Sequence, residues 1–136
     1  MKGKIHMHTL FKKLLSEKPL VCDGAMGTML QAKGLPAGHC PEEWNISKAD
    51  ILASIHKSYF DAGADLVETN TFGANWFRLN AYGYGDKVDE YNRVAAEIVC
   101  SVRPEGLPGI GCDLPSMDVR RRTMPISFCL FHVLFE

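Results

Sequence analysis

Charge of one sign, paired cysteines and long apolar runs are all missing from this sequence, and each absence closes off a class of function. With 15 Lys and Arg against 16 Asp and Glu, the formal net charge is -1, so no long-range field steers the chain toward nucleic acid or an anionic membrane. The five cysteines, Cys22, Cys40, Cys100, Cys112 and Cys129, are odd in number and contain no C-x-x-C pair. That fits neither a secreted disulfide framework nor a zinc knuckle. No window reaches the roughly 20 apolar residues that a membrane-spanning helix needs. The amino end carries Lys2, Lys4, His6 and His8 without a following apolar segment of signal-peptide length. The expectation is a cytoplasmic chain with reduced thiols, no membrane partner and no nucleic-acid partner. Repeats and low-complexity tracts are absent too, which excludes a solenoid.

What remains is ordinary globular composition, with 46% hydrophobic and 23% charged residues in a chain of 136. Domains most often fall at roughly 100 to 150 residues, so one domain is the expected count. Leu10, Phe11, Leu14 and Leu15 recur at helical spacing and predict a short helix over residues 9–17, with Thr9 as its N-cap and Pro19 beyond its end. Leu20, Val21 and Cys22 read as a short buried strand. A brief helix over residues 27–33 stops at Gly34, and residues 34–45, with Pro36, Gly38 and Pro41, form a connection. Ser47-x-x-Asp50 ahead of Ile51, Leu52, Ile55, Tyr59 and Phe60 predicts a capped amphipathic helix that ends at Gly63. Residues 64–69 read as a second strand. Strand, helix and strand in this order make a βαβ unit with parallel pairing.

After a loop over residues 70–75, a helix is expected over 74–82 and a longer one from Asp86 to Val102. On the longer helix Val88, Tyr91, Ala95, Ile98, Val99 and Val102 form the buried stripe, while Lys87, Asp89, Glu90, Arg93 and Glu97 face water. A third strand can start near residues 107–112. The remainder changes character: Pro104, Pro108, Pro115 and Pro125 are interrupted by the solvated run Arg120-Arg121-Arg122, and residues 126–135 are mostly apolar.

Two loops stand out. Asp23-Gly24-Ala25-Met26-Gly27-Thr28 follows the first strand, and Glu68-Thr69-Asn70-Thr71-Phe72-Gly73-Ala74-Asn75 leaves the second. In parallel α/β folds ligands sit at the carboxyl ends of the strands, where such loops converge. Amides and hydroxyls for a carboxylate, with Asp23 or Glu68 for an ammonium, would suit a small zwitterion. The same residue types also serve as turn and cap residues in any fold. Weaker candidates have plain structural roles. Gly109-x-Gly111 lacks the third glycine of a dinucleotide loop, and His39-Cys40 has no second ligand pair. His56 lies on a packed helix, and Trp44 and Trp76 fit either a core or a pocket wall.

These two loops, with Asp61-Ala62-Gly63-Ala64-Asp65 before the second and Pro41-Glu42-Glu43-Trp44-Asn45 between them, resemble the first two strand ends of the homocysteine S-methyltransferase family. The likeness extends to the homocysteine-binding module that begins cobalamin-dependent methionine synthases, and it runs from Pro19 to Val102. It implies an α/β fold, the N-terminal part of a (β/α)8 TIM-type barrel that is incomplete in this chain, since such barrels take about 250 residues. It also implies methyl transfer to the sulfur of homocysteine. The family's zinc, held by three cysteines, binds that sulfur as thiolate, and the methyl donor is methylcobalamin on a corrinoid module or a small methylated compound. By position, Asp23, Gly24, Ala25, Met26, Glu68, Thr69, Asn70 and Thr71 would cradle the amino-acid end of homocysteine.

The chain also departs from the family. The Gly-Cys-Cys-type segment and the earlier lone Cys that hold zinc are absent, so no residue here inherits a catalytic or metal role. Residues 1–102 are expected to be the barrel portion, and residues 103–136 a tail that matches nothing in the family, from truncation or a shifted reading frame. Two readings follow: a methyltransferase by family, or a catalytically inactive partial barrel with weak amino-acid binding and a tendency to self-associate through open strand edges.

Overall fold

The parallel ladder that the strand spacing implies is present, and it is short. The computed structural model describes Lys13, residues 15–105, and the backbone of Gly109 and Ile110. Residues 21–23 run beside β1 (Val67–Glu68), joined by a parallel bridge between Cys22 and Leu66. Hydrogen bonds from Asp65 N to Val21 O (2.8 Å) and from Asp23 N to Leu66 O (3.1 Å) complete that junction. On the other side β1 pairs in parallel with β2 (Gly109–Ile110), with Val67 opposite Gly109 and Glu68 opposite Ile110. The third strand expected near residues 107–112 is therefore present, and the spatial order follows the chain order.

Between these strands lie α1 (Met26–Ala32), α2 (Trp44–Ser47), α3 (Ala49–Asp61), α4 (Trp76–Ala81) and α5 (Val88–Val102), with 3₁₀ turns at Pro41–Glu43 and Gly85–Lys87. Helices α3 and α5 pack on each other because both carry apolar residues at i, i+3, i+4 and i+7 spacing. Leu52, Ile55 and Phe60 of α3 and Tyr91, Ala95, Ile98 and Val99 of α5 are buried. Leu30, Leu35, Trp44, Leu52, Ile55 and Ile98 form one apolar cluster, and Phe60, Ala64, Val67 and Val99 join α3 and α5 to β1 in a second. Truncating a fully buried leucine such as Leu52 in a core of this kind costs about 2 to 5 kcal/mol. Helix α3 ends where Gly63 takes φ +100°, a conformation that an L side chain resists.

Several local expectations shift. Ser47 does not cap α3: Trp44–Ser47 is itself helical, Lys48 occupies the cap position, and the Ser47 hydroxyl donates to Glu43 Oε2 at 2.8 Å. The capping pattern is met in sequence, but Pro41 starts a helical stretch earlier and absorbs it. Residues 20–22 are not a buried strand, since Val21 is 57% exposed and Cys22 is exposed. One bridge to Leu66 orders this segment, and among the described residues no layer covers its outer face. Helix α4 begins at Trp76, and a 3₁₀ turn replaces the first turn expected for α5. Lys13 and residues 15–17 are helical as expected, while Thr9 and residues 111–136 lie outside the described residues.

His56, on the buried face of α3, is 1% exposed, and among the described residues its Nδ1 has no hydrogen-bond partner. Burial lowers its pKa from 6.5 to about 4. A histidine held neutral in the fold and free to protonate when unfolded favours folding fully above pH 6.5, and that contribution is lost as the pH falls toward 4. At pH 5 the loss is about 2 kcal/mol. Urea denaturation at pH 8 and pH 5 should show this difference between wild type and His56→Leu, with the variant less sensitive to acid by that amount.

Candidate functional site

The first loop is fixed by side chains from two directions. Both oxygens of the Asp23 carboxylate accept from the backbone N–H of Glu68, each at 3.1 Å, and the Cys22 thiol donates to Oδ1 at 3.2 Å. Asp23 therefore ties the end of the first strand to β1 at the point where the ladder stops. From below, the Tyr59 hydroxyl on α3 donates to Ala25 O at 3.0 Å. Tyr59 packs so closely that a Cβ on Gly24 would lie 3.3 Å from its hydroxyl oxygen. Ala25 is extended, and α1 begins at Met26 without a side-chain cap.

A buried polar network shapes the second loop. Thr69, Asn70 and Thr71 are all buried, with the two threonine hydroxyls 2.7 Å apart. Asn70 Nδ2 donates to Pro41 O (2.8 Å) and Asn45 Oδ1 (3.0 Å), and Asn45 Nδ2 donates to Asn70 O (2.9 Å) and Tyr91 O (3.4 Å). Glu42, only 4% exposed, accepts from Gly73 N at 2.7 Å and from the Cys40 thiol at 3.3 Å. A Cβ at Gly73 would sit 2.7 Å from the same Glu42 oxygen, so glycine alone lets this carboxylate reach the backbone. Asn75 then caps α4, its Oδ1 accepting from Arg78 N at 3.1 Å.

These two loops face one cleft of about 300 Å³. Asp23, Gly24, Ala25 and Met26 line it from the first loop, and Glu68, Thr69 and Asn70 from the second, while Thr71 does not reach it. Six lining residues were not among the expected site residues: Gly27, Pro41, Glu42, Phe72, Gly73 and Arg78. Glu42 lay inside the Pro41-to-Asn45 motif without a role, Phe72 is 72% exposed on the rim, and Arg78 enters from α4. For Arg78 the available signal was position: the first turn of a helix that follows a strand points to the same rim as the loop.

The rim is electrostatically acidic. Partial desolvation raises the pKa of Asp23, and desolvation with the nearby Asp23 charge raises that of Glu68. Among the described residues no donor hydrogen-bonds the Glu68 side chain. The Cys22 thiol is pushed up to about 12, first by desolvation and then by its bond to Asp23 and the charges of Asp23 and Glu68. Desolvation also lifts buried Cys40 to about 11. Among the described residues no group of three His, Cys, Asp or Glu side chains could hold a metal ion, so these residues do not fit a cysteine-bound zinc. The same residues contain no helix long and apolar enough to cross a membrane.

Removing Asn45 should unfasten the second loop. Asn45→Ala leaves the buried carbonyls of Asn70 and Tyr91 without its donor, at a cost of about 2 to 3 kcal/mol. A thermal melt should show the variant destabilised by that amount, and an unchanged melting temperature would deny the network its role.

Comparison with known proteins identifies what the chain is similar to. The family model for homocysteine S-methyltransferase matches residues 20–112. The methionine synthase of Mycobacterium tuberculosis is 37% identical over 76% of this chain, and that of Mycobacterium leprae is 38% identical over 76%. In each case the chain spans 10% of the relative's length. Among solved structures, the metallated homocysteine methyltransferase MmuM from Escherichia coli superimposes with a TM-score of 0.62 at 20% identity, covering 75% of this chain and 40% of that one. Its oxidized form gives the same score over 76% and 39%. These structural likenesses are of fold. Because the family model takes in well over half of its residues, the chain belongs to the homocysteine S-methyltransferase family.

Proposed function

We propose that the cleft receives the amino-acid end of homocysteine and that the whole protein transfers a methyl group to the homocysteine sulfur, giving methionine. One observation carries this reading. Loops from consecutive parallel strands converge on one cleft, and Glu68 there presents a half-buried carboxylate with no donor among the described residues. A substrate ammonium supplies the missing positive partner. In this reading residues 1–102 are the N-terminal portion of a cytoplasmic (β/α)8 barrel, and β2, which follows them at Gly109–Ile110, continues that portion as its third strand.

The acidic rim also orients the substrate. A thiol must lose its proton to attack a methyl group, and negative charge opposes that loss: beside the cleft, the charges of Asp23 and Glu68 add to desolvation in raising the pKa of the Cys22 thiol. The homocysteine sulfur therefore points away from Asp23 and Glu68 while its ammonium lies against them. The family's zinc supplies thiolate activation when bound, and no described residue of this chain fits as its ligand. The described residues bind and orient. The methyl donor, methylcobalamin on a corrinoid module or a small methylated compound, meets the sulfur at the end remote from them.

Calorimetric titration of the chain with L-homocysteine and with 4-mercaptobutyrate, which lacks the ammonium, tests this reading. Homocysteine should bind about tenfold or more tightly than 4-mercaptobutyrate. Glu68→Gln should remove most of that difference. Equal affinities for the two ligands in the wild type would overturn the placement of the ammonium.

A further inference from the structure

Arg78 brings a positive charge to the cleft that holds Asp23 and Glu68, and yet it pairs with neither. Among the described residues the ion pairs are Lys18 with Asp65, Lys57 with Asp61, Lys87 with Glu90 and Arg93 with Glu97. The Arg78 backbone is pinned by Asn75, whose side chain accepts its N–H at 3.1 Å, so the guanidinium starts from a fixed point on α4. Opposite charges that line one cleft without neutralising each other complement a ligand that carries both charges itself.

Four backbone donors of the second loop are already engaged. Glu68 N is held by Asp23 and Gly73 N by Glu42. Thr71 N and Ala74 N donate to Thr69 O and Thr71 O, at 2.8 and 2.9 Å. A guanidinium presents paired N–H groups that match the two oxygens of a carboxylate. We propose that Arg78 docks the α-carboxylate of the amino-acid substrate, and so makes the cleft select amino acids over simple aminothiols. This rests on the homocysteine reading above and adds to it the residue that recognises the carboxylate.

The test compares L-homocysteine with 3-aminopropanethiol, its counterpart without the carboxylate, on wild type, Arg78→Gln and Arg78→Lys. The side chain is exposed, so both variants should fold, as circular dichroism will verify. Arg78→Gln should weaken homocysteine about tenfold or more and leave 3-aminopropanethiol unchanged, with Arg78→Lys between the two. Homocysteine bound equally by wild type and Arg78→Gln would overturn the role of Arg78 and leave the homocysteine reading standing. Equal weakening of both ligands would also overturn it, because the effect would not concern the carboxylate. Absence of homocysteine binding to the wild type would overturn both readings together.

Discussion

Backbone N–H groups at the carboxyl ends of parallel strands lose their ladder partners just where a ligand has to approach, and a buried donor left unpaired costs about 1 to 3 kcal/mol. Here two carboxylates take over from the ladder. Asp23 receives the N–H of Glu68, and Glu42 receives that of Gly73. Each carboxylate comes from a segment distant in sequence, so each bond also fixes one loop against another part of the fold. The position of both loops follows from these two contacts, with Asn45 and Asn70 locking the second loop from beneath.

Asp23, the first of these carboxylates, shares the rim with the Glu68 carboxylate and so contributes to its electrostatic character. Asp23 and Glu68 stand close enough for the charge of Asp23 to raise the pKa of Glu68, and both raise that of Cys22. A rim of this kind attracts an ammonium and keeps thiols protonated. In the proposed function it would divide a bifunctional substrate, holding the amino end and leaving the sulfur for chemistry elsewhere. The structural solution for the loops and the polarity of binding are one arrangement.

What the sequence disclosed was local or strongly periodic. The stripe Tyr91, Ala95, Ile98 and Val99 on α5, the stop at Gly63 and the parallel order of the strands are all legible from spacing. Asp23, Gly24, Glu68 and Asn70 were legible as a pair of loops at strand ends. The roles of Glu42 and Asn45 were not, although both lie in a recognisable motif, because their partners lie 31, 25 and 46 positions away. Arg78 drew no reading of its own, because nothing in the helix expected over residues 74–82 sets one arginine apart. The Ser47 capping pattern misled because a signal of four residues cannot register that Pro41 has already started a helix. The exposure of Val21 depends on what covers the sheet, and hydropathy alone does not report that.

The central claim is that the two loops form a single binding site. Titrating the ¹⁵N-labelled chain with L-homocysteine while following backbone amide shifts tests it most directly. The amides of residues 24–27 and 69–73 should move together and fit one saturating isotherm, with residues on the outer face of α5 unmoved. Shifts confined to one loop, or two loops saturating at different concentrations, would contradict the account.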